Sequence, residues 1–262
     1  MVKLGVIQLT SKLDFNENIE KIDTFIKKAK KEDVNYIFLP ECFYSISNGS
    51  IQTPYLIDGN NEHYKNIQSL AKKNNIYVLG GSAATVENGN IYNRSYNFAP
   101  NGDNLGHYDK INLFSCDITK DGKEKKIDES DIFSAGKKLK IIKTNDFKLG
   151  LSICFDIRFP SLYWSYANQG VNIISISSAF TVPSGKAHWH TLVRARAIET
   201  QCFIVASAQY GRHNERIQTF GHSLIIDPWG NVIEDAQEGE KFIWADIDLN
   251  QIESVRRSVK VF

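Results

Sequence analysis

Short apolar runs alternate with amphipathic helical segments along almost the entire chain, and this alternation constrains the fold more than any other feature. The run Val2–Leu9 has the composition of a buried strand. The segment Asn16–Lys31 that follows carries apolar residues at helical spacing on one face and lysines on the other. Because strands separated by such helices form sheets with helices packed against them, the pattern predicts an α/β fold built in layers.

The same alternation continues towards the C-terminus. Apolar runs typical of strands are Tyr36–Leu39, Ile76–Leu79, Lys140–Thr144, Leu149–Ile153, Val171–Ser177, Cys202–Ser207, Ser223–Ile226, Val232–Glu234 and Phe242–Asp246. Helical periodicity is found at His63–Asn74, Arg158–Gln169 and Ala187–Gln201. A hairpin is expected from Asn93–Ala99 and Leu105–Tyr108, and a solvated loop over most of the polar residues 117–138. Since no repeat or Pro/Gly-rich linker divides residues 1–262, we expect a single domain.

Composition narrows the possible partners and the compartment. The sequence has 31 basic and 30 acidic side chains, so it offers no positive surplus to bind nucleic acid. No apolar run approaches the ~20 residues that span a bilayer, and the first residues lack the pattern of a signal peptide. The cysteines lack a CxxC spacing and are expected to be free thiols: Cys42, Cys116, Cys154 and Cys202. We therefore expect a cytoplasmic protein whose partner is a small molecule, with no nucleic acid or membrane involved.

Three chemically complementary side chains follow predicted strands directly. Glu41 comes after the run that Pro40 stops, Lys110 comes just after Leu105–Tyr108, and Cys154 ends Leu149–Ile153. Each of them alone has an ordinary interpretation, a solvated charge for the first two and a buried structural thiol for the cysteine. Together they form a coherent set, because a nucleophile needs a base and an acyl-transfer intermediate needs a cation near its oxyanion.

Other hydrolytic chemistries lack their motifs. The pair His188-x-His190 does not share a helix face, and the HExxH pattern of zinc hydrolases is absent. The GxSxG elbow of serine hydrolases and a phosphate-binding glycine loop are also absent. The sequence therefore predicts neither a metal nor a cofactor.

The chain resembles the nitrilase superfamily of carbon–nitrogen hydrolases over nearly its whole length. The matching motifs, in chain order, are Leu-Pro-Glu-Cys at 39–42, Tyr-Asp-Lys-Ile-Asn-Leu-Phe at 108–114, Ile-Cys-Phe-Asp-Ile-Arg-Phe-Pro at 153–160, Ala-His-Trp at 187–189, Arg-Ala-Arg-Ala-Ile-Glu-Thr-Gln at 194–201, Gly-His-Ser at 221–223 and Asp-Pro-Trp-Gly at 227–230. The resemblance implies a four-layer αββα sandwich that pairs into homodimers.

The resemblance also assigns roles to individual residues. It implies that Cys154 is the nucleophile, that Glu41 transfers its proton, and that Lys110 and the backbone N–H of Phe155 hold the oxyanion. The second active-site glutamate of the family matches Glu129, which implies that part of residues 117–138 folds over the site rather than remaining a loop.

Within the superfamily the likeness is greatest to amidases that act on amides of α-keto acids. The implied substrate is deaminated glutathione, cleaved to 2-oxoglutarate and cysteinylglycine, and the alternative is 2-oxoglutaramate, cleaved to 2-oxoglutarate and ammonia. Both carry a carboxylate for a cationic or polar side chain to bind, and the candidates are Arg158, Lys186, His188, Arg194 and Arg212. His190 stands where many relatives have Glu, and Lys186 where Pro is common. A non-catalytic binding module that retained the fold is the alternative of another class.

Overall fold

The structure is a computed structural model that describes residues 1–49, 51–120 and 123–262. Within these ranges the helices are α1 Phe15–Lys31, α2 Glu62–Asn74, α3 Pro160–Asn168, α4 Val182–Thr200 and α5 Asn250–Ser258, with short 3₁₀ helices at Glu129–Asp131 and Cys154–Arg158. The strands are β1 Val2–Gln8, β2 Tyr36–Phe38, β3 Ile57–Asp58, β4 Tyr77–Leu79, β5 Ser82–Glu87, β6 Asn90–Ser95, β7 Tyr108–Asp109, β8 Ser115–Lys120, β9 Lys123–Asp128, β10 Ile141–Lys143, β11 Lys148–Ile153, β12 Ile173–Ser178, β13 Phe203–Ala208, β14 Tyr210–Arg212, β15 Gln218–Phe220, β16 Leu224–Ile226, β17 Val232–Asp235 and β18 Lys241–Ile247.

Two sheets lie at the centre of the molecule. One has the strand order β18-β1-β2-β4, and the other has the order β10-β11-β12-β13-β16-β17. Strands β1, β2 and β4 are parallel, as are β11, β12 and β13, whereas β18, β10, β16 and β17 form antiparallel pairs with their neighbours. The parallel strands require crossover connections, which the helices predicted from the sequence supply.

Alternate side chains of β1 enter different hydrophobic clusters. Leu4 and Val6 pack into the cluster shared with the six-stranded sheet. Ile7 packs with residues of α1 and α2 on the opposite face. Because successive strand residues point to opposite faces, an almost continuously apolar strand is buried on both sides.

The remaining helices complete the layers. Residues of α3 and α4, among them Tyr166, Trp189 and Val193, are buried in the same cluster as the six-stranded sheet. The order of layers is thus α1 and α2, the four-stranded sheet, the six-stranded sheet, and α3 and α4. The predicted four-layer αββα sandwich is confirmed.

Two local predictions are wrong in part. The hairpin predicted from Asn93–Ala99 and Leu105–Tyr108 is present in part, since Phe98 bridges Asn104 and Ser95 pairs with Tyr108. The prediction missed the main partner of β6, which pairs along its whole length with β5. The turn between β5 and β6 is Asn88-Gly89, both with positive φ, the combination that two-residue hairpins favour. The expected loop over 117–138 instead contains the paired strands β8 and β9 and the 3₁₀ helix Glu129–Asp131, while residues 121 and 122 lie outside the described ranges.

Helices α3 and α4 also differ from their predicted bounds. The helix expected at Arg158–Gln169 starts at Pro160, because proline is favoured in the first turn, where its missing N–H is not needed. The helix expected from Ala187 already starts at Val182. Arg158 therefore belongs to the 3₁₀ turn that contains Cys154 and not to α3.

Candidate active site

A buried lysine, which directly follows β7, lies between two glutamates. Lys110 Nζ is 2.9 Å from Glu41 Oε1 and 2.8 Å from Glu129 Oε2. The lysine side chain is 1% exposed and that of Glu41 is 4% exposed. Burial lowers the pKa of Lys110, but the charges of Glu129 and Glu41 outweigh it and hold the pKa well above its usual value. The ammonium group is therefore permanently charged and fixed in position.

Backbone and amide contacts hold Glu41 in place beyond the end of β2. Asn93 Nδ2 donates to Glu41 Oε1 at 2.9 Å, and Gln209 Nε2 donates to the Glu41 carbonyl at 2.9 Å. The Lys110 backbone N–H donates to the Asn93 carbonyl at 3.0 Å. A single strand residue, Asn93, thus positions both the carboxylate and the ammonium.

Glu129 is hydrogen-bonded to Phe114, in the segment that follows Lys110. Its Oε2 accepts the backbone N–H of Phe114 at 2.7 Å, and its own N–H donates to the Phe114 carbonyl at 2.8 Å. Burial raises the pKa of Glu129, while Lys110 opposes that rise. The segment expected to be a solvated loop therefore supplies a half-buried carboxylate to the site.

Cys154 adopts a left-handed backbone conformation at the end of β11. Its φ is +48°, which is rare for a residue with a Cβ and marks local strain. The residue is buried, and the backbone of Ala179 hydrogen-bonds the thiol. Burial, followed by the negative charge of Glu41, raises the pKa of the Cys154 thiol, while Lys110 lowers it. The group is thus a thiol at neutral pH and needs a base before it can attack a carbonyl.

Asp156 connects the cysteine turn to the lysine loop. The carboxylate is fully buried and accepts hydrogen bonds from Ile153 N at 2.9 Å, Tyr108 Oη at 2.8 Å, and Asn112 N and Nδ2 at 2.9 Å each. These donors come from both sides of the site, so the aspartate fixes Cys154 relative to Lys110.

Of the predicted substrate-binding residues, Arg158 and His188 lie together next to the cysteine turn. Arg158 Nη2 is 3.3 Å from His188 Nδ1, and its guanidinium lies over the rings of Phe155 and Phe180 at 5.6 and 5.5 Å. A guanidinium held by aromatic faces in the same 3₁₀ turn as Cys154 is suited to bind a carboxylate. The oxyanion role of the Phe155 N–H remains a prediction.

The other three predicted substrate-binding residues have different surroundings. Arg194 Nε donates to the Gly230 carbonyl at 2.8 Å, and Arg212 Nε donates to the Asn214 carbonyl at 3.3 Å. Lys186 is exposed near the start of α4. The contacts of Arg194 and Arg212 stabilise turns, and none of these three residues is brought to the buried ion pair by a described contact.

Sequence reasoning missed Asn93 and Asp156 as parts of the site. Asn93 was assigned only to a strand, and Asp156 was quoted only within a motif. The Asn93 Oδ1 atom is buried without a hydrogen-bond partner among the described residues, so it can accept one from a ligand. The polar run Asn93-Arg94-Ser95 inside a predicted strand was the available signal for Asn93, because polar residues are rarely buried without partners.

A second cluster of titratable residues lies where α4 meets β17. His190, His222 and Asp235 place one ring nitrogen or carboxylate oxygen each within 4.8 Å of one another. As a metal ligand, His190 was tested in the sequence only with His188, but its ring contacts Asp235, whereas that of His188 contacts Arg158. Among the described helices, none is both long and apolar enough to cross a membrane.

The sequence and fold match known proteins along nearly the whole chain. The family model described as carbon-nitrogen hydrolase matches residues 3–257. The deaminated glutathione amidase of Dictyostelium discoideum is 38% identical, over 99% of this chain and 92% of that protein. The omega-amidase NIT2 of Danio rerio is 33% identical over 99% and 92%. The crystal structure of Saccharomyces cerevisiae Nit3, a member of branch 10 of the nitrilase superfamily, superposes with a TM-score of 0.88 at 30% identity, covering 99% of this chain and 94% of Nit3.

Proposed function

Because this chain belongs to the carbon–nitrogen hydrolase family, we propose that it hydrolyses an amide of an α-keto acid through a thioester on Cys154. The observation that carries this proposal is the buried Glu41–Lys110–Glu129 cluster, whose charges alter the pKa of the strained thiol. A scaffold without catalytic function has no need to bury an ammonium between two carboxylates beside a thiol, because burying charges is costly.

In the proposed mechanism Glu41 accepts the thiol proton as Cys154 attacks the amide carbon. The oxyanion that forms is stabilised by the Lys110 ammonium and the Phe155 N–H. Glu41 then gives the proton to the departing amine, which leaves the acyl group on sulfur. The same carboxylate takes a proton from water as the water oxygen attacks the thioester carbon. The C–S bond then breaks, the acid is released, and Glu41 returns that proton to the sulfur, which restores the thiol.

Glu129 acts through Lys110 in this scheme. Its carboxylate is 2.8 Å from Lys110 Nζ, so the ammonium divides its hydrogen bonds between Glu129 and Glu41. Without it, Lys110 would pair with Glu41 alone and reduce the ability of Glu41 to take a proton. Glu129 is therefore a positioning residue in the proposal.

The substrate we propose is deaminated glutathione. Its support is the 38% identity to the Dictyostelium amidase of that name, together with the Arg158–His188 pair, which can bind the carboxylate of an α-keto acid. The alternative substrate is 2-oxoglutaramate, which the 33% identity to an omega-amidase favours. We further propose that residues 1–262 act as one catalytic domain.

The decisive assay measures release of 2-oxoglutarate from deaminated glutathione and from 2-oxoglutaramate under the same conditions. A larger kcat/KM for deaminated glutathione supports the proposed substrate, and a clear preference for 2-oxoglutaramate contradicts it. If neither amide is turned over and Cys154 never forms an acyl adduct, the protein is a binding module that retained the fold.

We also propose a homodimer. Phe159, Trp164 and Phe262 leave apolar surface exposed on one side of the six-stranded sheet, and the last two rings pack at 5.0 Å. Exposed aromatic clusters of this kind are common at protein interfaces. Light scattering after size exclusion should give twice the mass of 29.7 kDa, and the mass of one chain would contradict the proposal.

A further inference from the structure

Three potential metal ligands from distant parts of the chain converge at the edge of the six-stranded sheet. His190 lies on α4, His222 lies between β15 and β16, and Asp235 is the last residue of β17. His190 Nε2 is 3.1 Å from Asp235 Oδ2, and His222 Nδ1 is 3.1 Å from both carboxylate oxygens. The cluster does not include any residue of the proposed catalytic mechanism.

These distances fit a metal site. With bonds of 2.0–2.1 Å, two donors on a tetrahedral zinc ion lie about 3.3 Å apart. Both imidazole nitrogens lie 3.1 Å from the same oxygen, Asp235 Oδ2, which is close to that value. The two imidazole nitrogens lie within 4.8 Å of each other, a gap that small rotations of the His190 side chain, 38% exposed, can close.

We propose that His190, His222 and Asp235 bind a zinc ion. Two imidazoles and one carboxylate form a donor set that suits zinc, whereas magnesium and calcium prefer oxygen ligands. The Asp235 and His222 side chains are 24% and 20% exposed, so the ion can enter from solvent and keep water as a further ligand. This departs from the expectation of no metal, which rested on the pair His188 and His190 and on the absence of an HExxH motif.

Neighbouring groups hold two of the ligands in place. The Gln237 N–H donates to Asp235 Oδ1 at 2.7 Å, and the His222 N–H donates to the Gln237 carbonyl at 3.0 Å. Trp189 Nε1 donates to the His222 carbonyl at 2.7 Å, and the Phe220 ring stacks on that imidazole at 4.4 Å. Such outer contacts orient ligands and raise metal affinity, as in established zinc sites.

The ion would connect α4 to strands β16 and β17 at the sheet edge. Apart from packing, the described connections between these parts include the Trp189–His222 and Arg194–Gly230 hydrogen bonds. Because the ion binds the folded arrangement and not the separated ligands, zinc should stabilise the fold in a concentration-dependent manner. Its role is structural in this proposal, and amide hydrolysis does not pass through it.

The test is calorimetric titration of zinc chloride into chelator-treated protein carrying Cys154→Ala, because the catalytic thiol could itself bind zinc. The proposed ligands are changed by His190→Gln and Asp235→Asn. The matched control is His107→Gln, which removes an exposed imidazole elsewhere on the surface. Magnesium chloride serves as the control ion, and circular dichroism verifies that each variant is folded.

We expect saturable binding of a single zinc ion, a rise of Tm with zinc concentration, and no response to magnesium. Removing an outer contact of a zinc ligand costs 10- to 100-fold in affinity, so His190→Gln and Asp235→Asn should each weaken zinc binding by about 100-fold or more. The control His107→Gln should bind like its parent. If all folded variants bind zinc alike, or the parent shows no saturable binding, the three residues are a hydrogen-bonded cluster only and the proposal is overturned.

Discussion

Replacing Asp156 by asparagine should damage both stability and catalysis, because one carboxylate fixes two parts of the site. Oδ1 accepts from the N and Nδ2 atoms of Asn112, and Oδ2 accepts from the Tyr108 hydroxyl and the Ile153 N–H. All of these donors meet a carboxylate that is fully buried. An asparagine amide has the same shape, but it presents an NH₂ group to two of the donors.

The expected loss of folding stability follows from counting the hydrogen-bond donors that are left without an acceptor. The better amide orientation points its NH₂ towards Tyr108 and Ile153, because the hydroxyl can rotate and become the acceptor. The Ile153 N–H cannot rotate and is left buried without a partner, directly before Cys154. One such donor costs about 1–3 kcal/mol. Burial raises the pKa of Asp156, so loss of its charge adds nothing to that cost, and we expect about 2 kcal/mol of lost stability. That is a large share of the roughly 5–15 kcal/mol typical of a folded protein.

Two measurements test this expectation: urea unfolding, and steady-state kinetics at urea concentrations below the unfolding transition. Misplacement of the thiol should lower kcat by about 100-fold while KM changes less. Because the kinetics are measured where the protein is folded, a smaller active fraction cannot account for that loss. The control is Asp146→Asn, which alters an exposed aspartate that accepts the Tyr36 hydroxyl at 2.5 Å, away from the catalytic groups. If Asp156→Asn unfolds at the same urea concentration as wild type and keeps its kcat, the inferred link between the two loops is wrong.

Three further predictions concern individual side chains. Cys154→Ala should abolish turnover, whereas Cys42→Ala and Cys202→Ala should retain most of it; similar losses in all three would indicate a stability effect. Asn93→Ala should lower kcat by about 10- to 100-fold with little change in Tm, since its amide orients the Glu41 carboxylate, the base of the proposed mechanism; an unchanged kcat would contradict this. Burial lowers the pKa of His213 from 6.5 to about 4, so the stability that its neutral ring provides is present above pH 6.5 and is lost as pH falls towards 4. That loss amounts to about 3 kcal/mol. His213→Gln should flatten the dependence of the unfolding free energy on pH between pH 6.5 and 4, whereas an unaltered slope would show that another group causes it.

The layers of the fold could be predicted because each strand and helix carries its own pattern. The apolar run at β1 was sufficient to predict a strand buried on both faces. The one-sided apolar face of α1 was sufficient to predict a helix on the outside of a sheet. Strands β8 and β9 could not be predicted in this way, since a polar ribbon has no apolar alternation and is held by backbone hydrogen bonds. The Asn88-Gly89 turn was a usable signal for the pairing of β5 with β6, and it was overlooked.

Only those site residues could be predicted that follow a strand directly or belong to a recognisable motif. Glu41, Lys110 and Cys154 each end or follow a strand, so the topology alone suggests that they meet. The position of Glu129 came from resemblance, because its segment is polar and has no periodicity. His190 and Asp235 are 45 residues apart, with no spacing that indicates their contact, so only the folded chain brings them together.

The most direct test of the proposed thioester chemistry is intact-protein mass spectrometry after rapid mixing with deaminated glutathione. The proposal predicts a mass increase equal to the 2-oxoglutaryl group on wild-type protein, located at Cys154 by peptide mapping. Glu41→Gln should prolong any adduct that forms, because water then lacks its base, and Cys154→Ala should form none. Turnover of the amide by Cys154→Ala, or an adduct at another residue, would contradict the assignment of the nucleophile.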